Sequence, residues 1–169
     1  MVEYQISKID GAVEQLDWAI RLFLDHQAYV PSITLAGASE ELLGKSLSDP
    51  ERSSFAILKK ELPLKYTVPD GKSVSQDYLN KARNFLKHCD KLTDQETISL
   101  DCEEEATQYI LRALANLVAY DRSIPSEAPR FIAWLSQHRS DLAEMTRAMA
   151  EFVYSSGRTV KQQPDQFLS

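Results

Sequence analysis

The chain has 169 residues, 43% of them hydrophobic, and a formal charge of -6 from 25 acidic and 19 basic side chains. That is enough apolar material for one domain with its own core, and the acidic balance excludes a generally basic surface that holds nucleic acid by electrostatics alone. The two cysteines, Cys89 and Cys102, sit in no C-x-x-C pair, which speaks against a disulfide framework or a metal knuckle. The opening MVEYQISKID lacks a secretory signal, and no apolar run is long enough to span a bilayer. The expectation is an intracellular, cytoplasmic protein that is not bound to membrane, with reduced cysteines and no cofactor.

Apolar residues recur at helical spacing and glycine is scarce, so the chain reads as all-α. Val13, Leu16, Ile20, Phe23 and Leu24 form the stripe of a first helix, over about 6–28. Pro31 suits the start of a second, over about 32–47, in which Ala36, Gly37, Ala38 and Gly44 permit close approach of a neighbour. A third is predicted over about 51–61, followed by a loop carrying Pro63, Pro69 and the Asp70-Gly71 turn. The fourth is predicted over about 74–91; "TISL" (97–100) then alternates like a short extended piece, and Asp101 with Glu104 opens a fifth helix over about 102–120 as a capping box. Helices over about 127–138 and 141–155, the latter capped by Ser140, precede a polar, loose tail at 159–169. Together these make a single up-and-down, four-helix-type bundle domain over 1–158, with its core in about 6–120 and extra C-terminal helices.

The fourth helix carries the most informative stretch, "NKARNFLKHC" at 80–89. At roughly 100° per residue, Arg83, Lys87, Asn80, Lys91, Asn84, Asp77 and His88 share one polar arc, while Val74, Phe85, Tyr78, Cys89, Ala82, Leu86 and Leu79 gather opposite as a core face. An ordinary wet face mixes Glu with Lys; this one concentrates cations, a histidine and two asparagines, poor helix formers whose amides serve as donor and acceptor pairs.

Arg83, Asn84 and His88 spell R-N-x-x-x-H, which resembles the signature of the HEPN superfamily, helical bundles that include many prokaryotic ribonucleases. The resemblance covers roughly residues 6–120. It implies metal-independent RNA cleavage, of the kind found in toxin–antitoxin or defence systems, in which the 2'-hydroxyl attacks the adjacent phosphate. His88 would exchange the proton near neutral pH, Arg83 would face the developing negative charge, and Asn84 would fix an oxygen or orient His88. The resemblance also implies a homodimer in which two copies of the arc meet across a cleft, because Arg83 and His88 stand roughly 140° apart on an ideal helix.

Glu40 joins this candidate site from the second helix. It lies on the side of Ile33, Ala36, Leu43 and Leu47, whereas Glu41 points toward Lys45. A carboxylate facing a core needs a partner, and Arg83 or His88 is the natural one. The second match to the bare spacing, Arg21 with His26 in "RLFLDH", is explained by surface ion pairing with Asp17 and Asp25.

Other chemistries fit less well. A carboxylate-bridged metal bundle needs Glu-x-x-His pairs, and no histidine here has Glu three residues before it. No serine occupies a nucleophile elbow. Trp18, Trp134, Tyr109 and Phe131 read as core, His138 as a dipole-favoured surface residue, and Glu103 to Glu105 as macrodipole partners. The competing functional class is a non-catalytic helical module that acts through a protein partner, such as an antitoxin-like nucleotidyltransferase.

Overall fold

The structure is a computed structural model that describes residue 3 and residues 5–65, 78–87, 97–120 and 124–155, with backbone alone at 63–65 and 152–155. Its helices are α1 (Lys8–His26), α2 (Tyr29–Ser46), α3 (Ser54–Lys65), α4 (Lys81–Lys87), α5 (Cys102–Tyr120), α6 (Ala128–His138) and α7 (Ala143–Ser155). Short 3-10 turns stand at Pro50–Arg52 and Ser140–Leu142. The architecture is all-α, without a strand among the described residues; 97–100 is irregular rather than extended into a ladder. No described helix is long and apolar enough to cross a membrane.

The stripes predict the packing. Leu16, Ile20 and Phe23 of α1 are buried against Ile33, Ala36 and Leu43 of α2 and against Ile110, Ala113, Leu114 and Leu117 of α5. Burial at this level, about 1.5–3 kcal/mol for each large apolar side chain, is what holds the three long helices together. Ser7 caps α1 by accepting from the Asp10 amide, and Asp101 caps α5 by accepting from the Glu104 amide at 3.0 Å. The link from α1 to α2 is short: Gln27 turns the chain in the left-handed region at φ 50°, and the Ala28 amide reaches back to the Leu22 carbonyl.

Several expectations need correction. Helix α2 starts at Tyr29, so Pro31 lies inside its first turn, where its missing N–H has no helical partner to lose. Helix α3 continues to Lys65, and Pro63 is absorbed in its last turn rather than ending it at about 61. Ser140 does not cap α7; it begins a 3-10 turn, and Arg139 is held by Glu104 and Asp141 instead. Trp18 is not core: two positions past Leu16 it points away from the buried stripe, is 52% exposed, and carries Arg21 over its ring. Trp134 is half-buried, edge-on to Phe23 and stacked with Phe131 and His138.

The acidic start of α5 also does more than meet a dipole. Glu103 accepts the Tyr29 hydroxyl at 2.7 Å, which pushes that phenol up to about 12, and Glu104 receives Arg139. Arg21 pairs with Asp17 and Glu127, while Asp25 pairs with Arg130. Residues 159–169, Cys89 and residues 66–77, on which the expected tail, most of the expected loop and the expected start of the fourth helix fall, lie outside the described residues.

Candidate functional site

The site grows from α2. Ile33, Ala36, Leu43 and Leu47 bury one side of this helix, and Glu40 on the same side is carried inward with them to 2% exposure. A carboxylate so placed would cost several kcal/mol unless charges met it. Two guanidiniums do: Arg83 Nη1 of α4 stands 3.6 Å from Glu40 Oε2, and Arg112 Nη2 of α5 stands 3.5 Å from the same oxygen. Neither forms a forked pair, and among the described residues Arg83 Nε, Arg112 Nε and Arg112 Nη2 have no hydrogen-bond partner. Burial therefore dominates and holds the Glu40 carboxyl above its usual range, opposed by Arg112 and Arg83 and assisted by the neighbouring Glu41.

Glu41, one residue on, faces the opening. It accepts Lys45 at 2.6 Å and lies 3.4 Å from Arg83 Nη1 and 3.5 Å from Lys87 Nζ. The hydrogen bond from Lys45 is the largest reason that its carboxyl is held below the ordinary range.

Arg112 and Tyr109 fix where α4 begins. Arg112 Nη1 donates to the Leu79 carbonyl at 2.8 Å, the Tyr109 hydroxyl donates to the same oxygen at 3.0 Å, and that hydroxyl accepts from the Arg83 amide at 3.3 Å. Arg112 also lies over the Tyr109 ring, 4.3 Å from its centre. Close approach is permitted by Gly37: a Cβ there would fall 2.9 Å from Arg83 Cδ and 3.2 Å from Cγ. Gly44 does the same for Asn116, whose amide bridges the Glu40 carbonyl and the Ser54 amide.

The rotation of α4 differs from the sequence expectation. Asn80 is buried at 9% exposure, and Arg83, at 15% for its side chain, leans onto α2 rather than standing in water. Tyr78 and Leu86, expected in the core, are exposed, while Ala82 is buried and Leu79 and Phe85 are half-buried. The ionic cluster offered by Glu40, Glu41 and Arg112 thus draws Arg83 onto α2, and two apolar side chains stay outside. Lys87 is exposed as the arc predicts.

Arg83 and Glu40 are brought together. Asn84 is half-buried, and among the described residues its side chain makes no hydrogen bond into the cluster, though its amide donates to the Asn80 carbonyl. His88 lies outside the described residues. Arg112 was missed by sequence reasoning, and Asn80, expected on the polar arc, is buried. Arg112 had a readable signal, because the apolar stripe of α5 flanks it on both sides at Ile110, Ala113 and Leu114, which puts a cation next to the core.

Beside the cluster a groove of about 740 Å³ opens between α2, α3 and α4; Glu40, Glu41, Lys45, Asn80 and Arg83 line one side, and Glu51, Phe55, Lys59 and Lys60 the other. Among the described residues no group of three His, Cys, Asp or Glu stands close enough to hold a metal ion. No family model matches the chain, and neither the curated proteins nor the solved structures give a match.

Proposed function

We propose that this protein is a HEPN-like, metal-independent endoribonuclease that acts as a homodimer. The observation that supports this reading best is the coupling of Arg83 to the buried Glu40 at the edge of an open groove: a cation of the R-N-x-x-x-H motif is oriented by a fixed carboxylate and still reaches solvent. In the chemistry proposed, the RNA 2'-oxygen attacks the adjacent phosphorus and the bond to the 5'-oxygen breaks. The 2'-hydroxyl proton leaves, the departing oxygen gains one, and the products end in a 2',3'-cyclic phosphate and a 5'-hydroxyl. His88 handles a proton, Arg83 offsets charge on the phosphoryl oxygens, and Asn84 orients one of these groups.

Incubation of the purified chain with mixed RNA in the presence of a chelator tests the reading. Cleavage is expected to persist, to yield cyclic-phosphate ends, and to fall by about 100-fold or more in His88→Ala. Inactivity of both proteins favours the second reading, a non-catalytic module that binds a protein partner such as an antitoxin-like nucleotidyltransferase. One observation leans that way: Glu40 and Glu41 both stand against Arg83 and offset its charge.

A further inference from the structure

We propose that the groove between α2, α3 and α4 holds a stretch of single-stranded RNA inside one protomer, with Arg83 and Asn80 at one bank and Lys59 and Lys60 at the other. The proposal rests on the nuclease reading for the ligand's identity and adds where the strand lies. The motif alone leads to a cleft between two copies, whereas these side chains converge within a single chain.

Three features of the groove carry it. Polar capacity is unspent: Asn80 is nine-tenths buried, and among the described residues its Oδ1 and the Nε of Arg83, which lines the same groove, have no hydrogen-bond partner. Leaving such groups unmet costs free energy that a ligand with matching donors and acceptors returns. The charge on the far bank is uncommitted. Lys45 and Lys87 are drawn to Glu41, but Lys59 and Lys60, both exposed, have no ion pair or hydrogen bond among the described residues. Finally, half-buried Phe55 lines the groove on the same helix as these two cations, one turn before Lys59. Cations that follow a backbone, combined with an aromatic face for a base, are the arrangement by which proteins hold single strands. The volume of about 740 Å³ suits an unstacked nucleotide unit; a duplex is gripped along a much longer surface. Glu51 repels phosphate and favours the amino edge of a base at its end of the groove.

The test is anisotropy titration of the full chain with a short, labelled 2'-O-methyl oligoribonucleotide, which cannot be cleaved by 2'-hydroxyl attack. Lys59→Ala/Lys60→Ala is expected to weaken binding about tenfold at low salt and to reduce the slope of log K against log salt by about 1.4, at about 0.7 per lost phosphate contact. Asn80→Ala should weaken binding without changing the slope, and Lys8→Ala on α1 should do neither. The proposal is overturned if the wild-type chain does not bind, if the double lysine variant binds and responds to salt like wild type, or if poly-glutamate displaces the strand as well as RNA does. Binding that follows the lysines while unmodified RNA stays intact upholds the groove and removes the nuclease reading; cleavage with lysine-independent binding does the reverse.

Discussion

Arg112 is the residue whose loss tells most about the cluster. Its guanidinium serves Glu40 and the Leu79 carbonyl at once, so Arg112→Met leaves the buried carboxylate with Arg83 alone. We expect a loss of about 3 kcal/mol at pH 7, since breaking a buried pair strands the remaining charge. The pH dependence follows from the raised Glu40 carboxyl. A carboxyl raised in the folded state retains its proton there after the unfolded chain has lost it, so folding stability falls as pH rises above about 4.3, the unfolded value. Removing Arg112 raises the carboxyl further and steepens that fall. Urea denaturation across pH 4.5–7 should therefore show the gap between variant and wild type narrowing toward the acid end; a gap independent of pH would place the cost elsewhere. Much of this cluster was legible in sequence: Glu40 on an apolar side demanded a cation, and Arg83 was a proper candidate. The sharing of one carboxylate oxygen between two arginines was not, because nothing local records that α5 brings Arg112 to the same point.

At the scale of elements, the contact of α2 with α4 depends on the absence of a side chain at Gly37. Gly37→Ala should improve helix propensity by up to about 1 kcal/mol, but a Cβ 2.9 Å from Arg83 Cδ forces the arginine stem aside, an overpacking cost of about 1–3 kcal/mol. The sign of the effect should reverse in an Arg83→Ala background, where the obstructing stem is gone and only the ordinary 3.6 Å contact to Tyr109 remains. A double-mutant cycle by urea denaturation measures this coupling; additive effects would contradict the close approach. The long helices were readable because their apolar stripes are buried as the spacing requires, as in Leu16, Ile20 and Phe23. The angle of α4 was not. An ionic cluster built by two other helices holds Arg83, an interaction that no local apolar pattern records, and it overrides the pattern that would have buried Tyr78 and Leu86.

For the molecule as a whole, the C-terminal helices are joined to the bundle mainly through α1, with Arg139 adding a pair to Glu104 of α5. Asp17 accepts the Glu127 amide at 2.9 Å and the Ser126 hydroxyl at 3.0 Å just before α6, and Phe131 and Trp134 pack edge-on to Phe23. Asp17→Ala removes these acceptor contacts and the pair with Arg21. We expect a cost of about 1–3 kcal/mol and earlier loosening of α6 than of the α1, α2 and α5 core. Trp134 reports this: in a Trp18→Phe background its emission should shift at lower urea than the helical circular dichroism signal, whereas coincident transitions would mean that α6 unfolds only with the rest.

The double grip on the Leu79 carbonyl has a mechanical consequence. One oxygen held by both Tyr109 and Arg112 ties the start of α4 to α5 at two points. Slippage of α4 along its axis would break both hydrogen bonds at once, so the register of Lys81–Lys87 against α2 and α5 is fixed at this point. Arg83, four residues on from Leu79, inherits that register, which delivers its guanidinium to both Glu40 and Glu41.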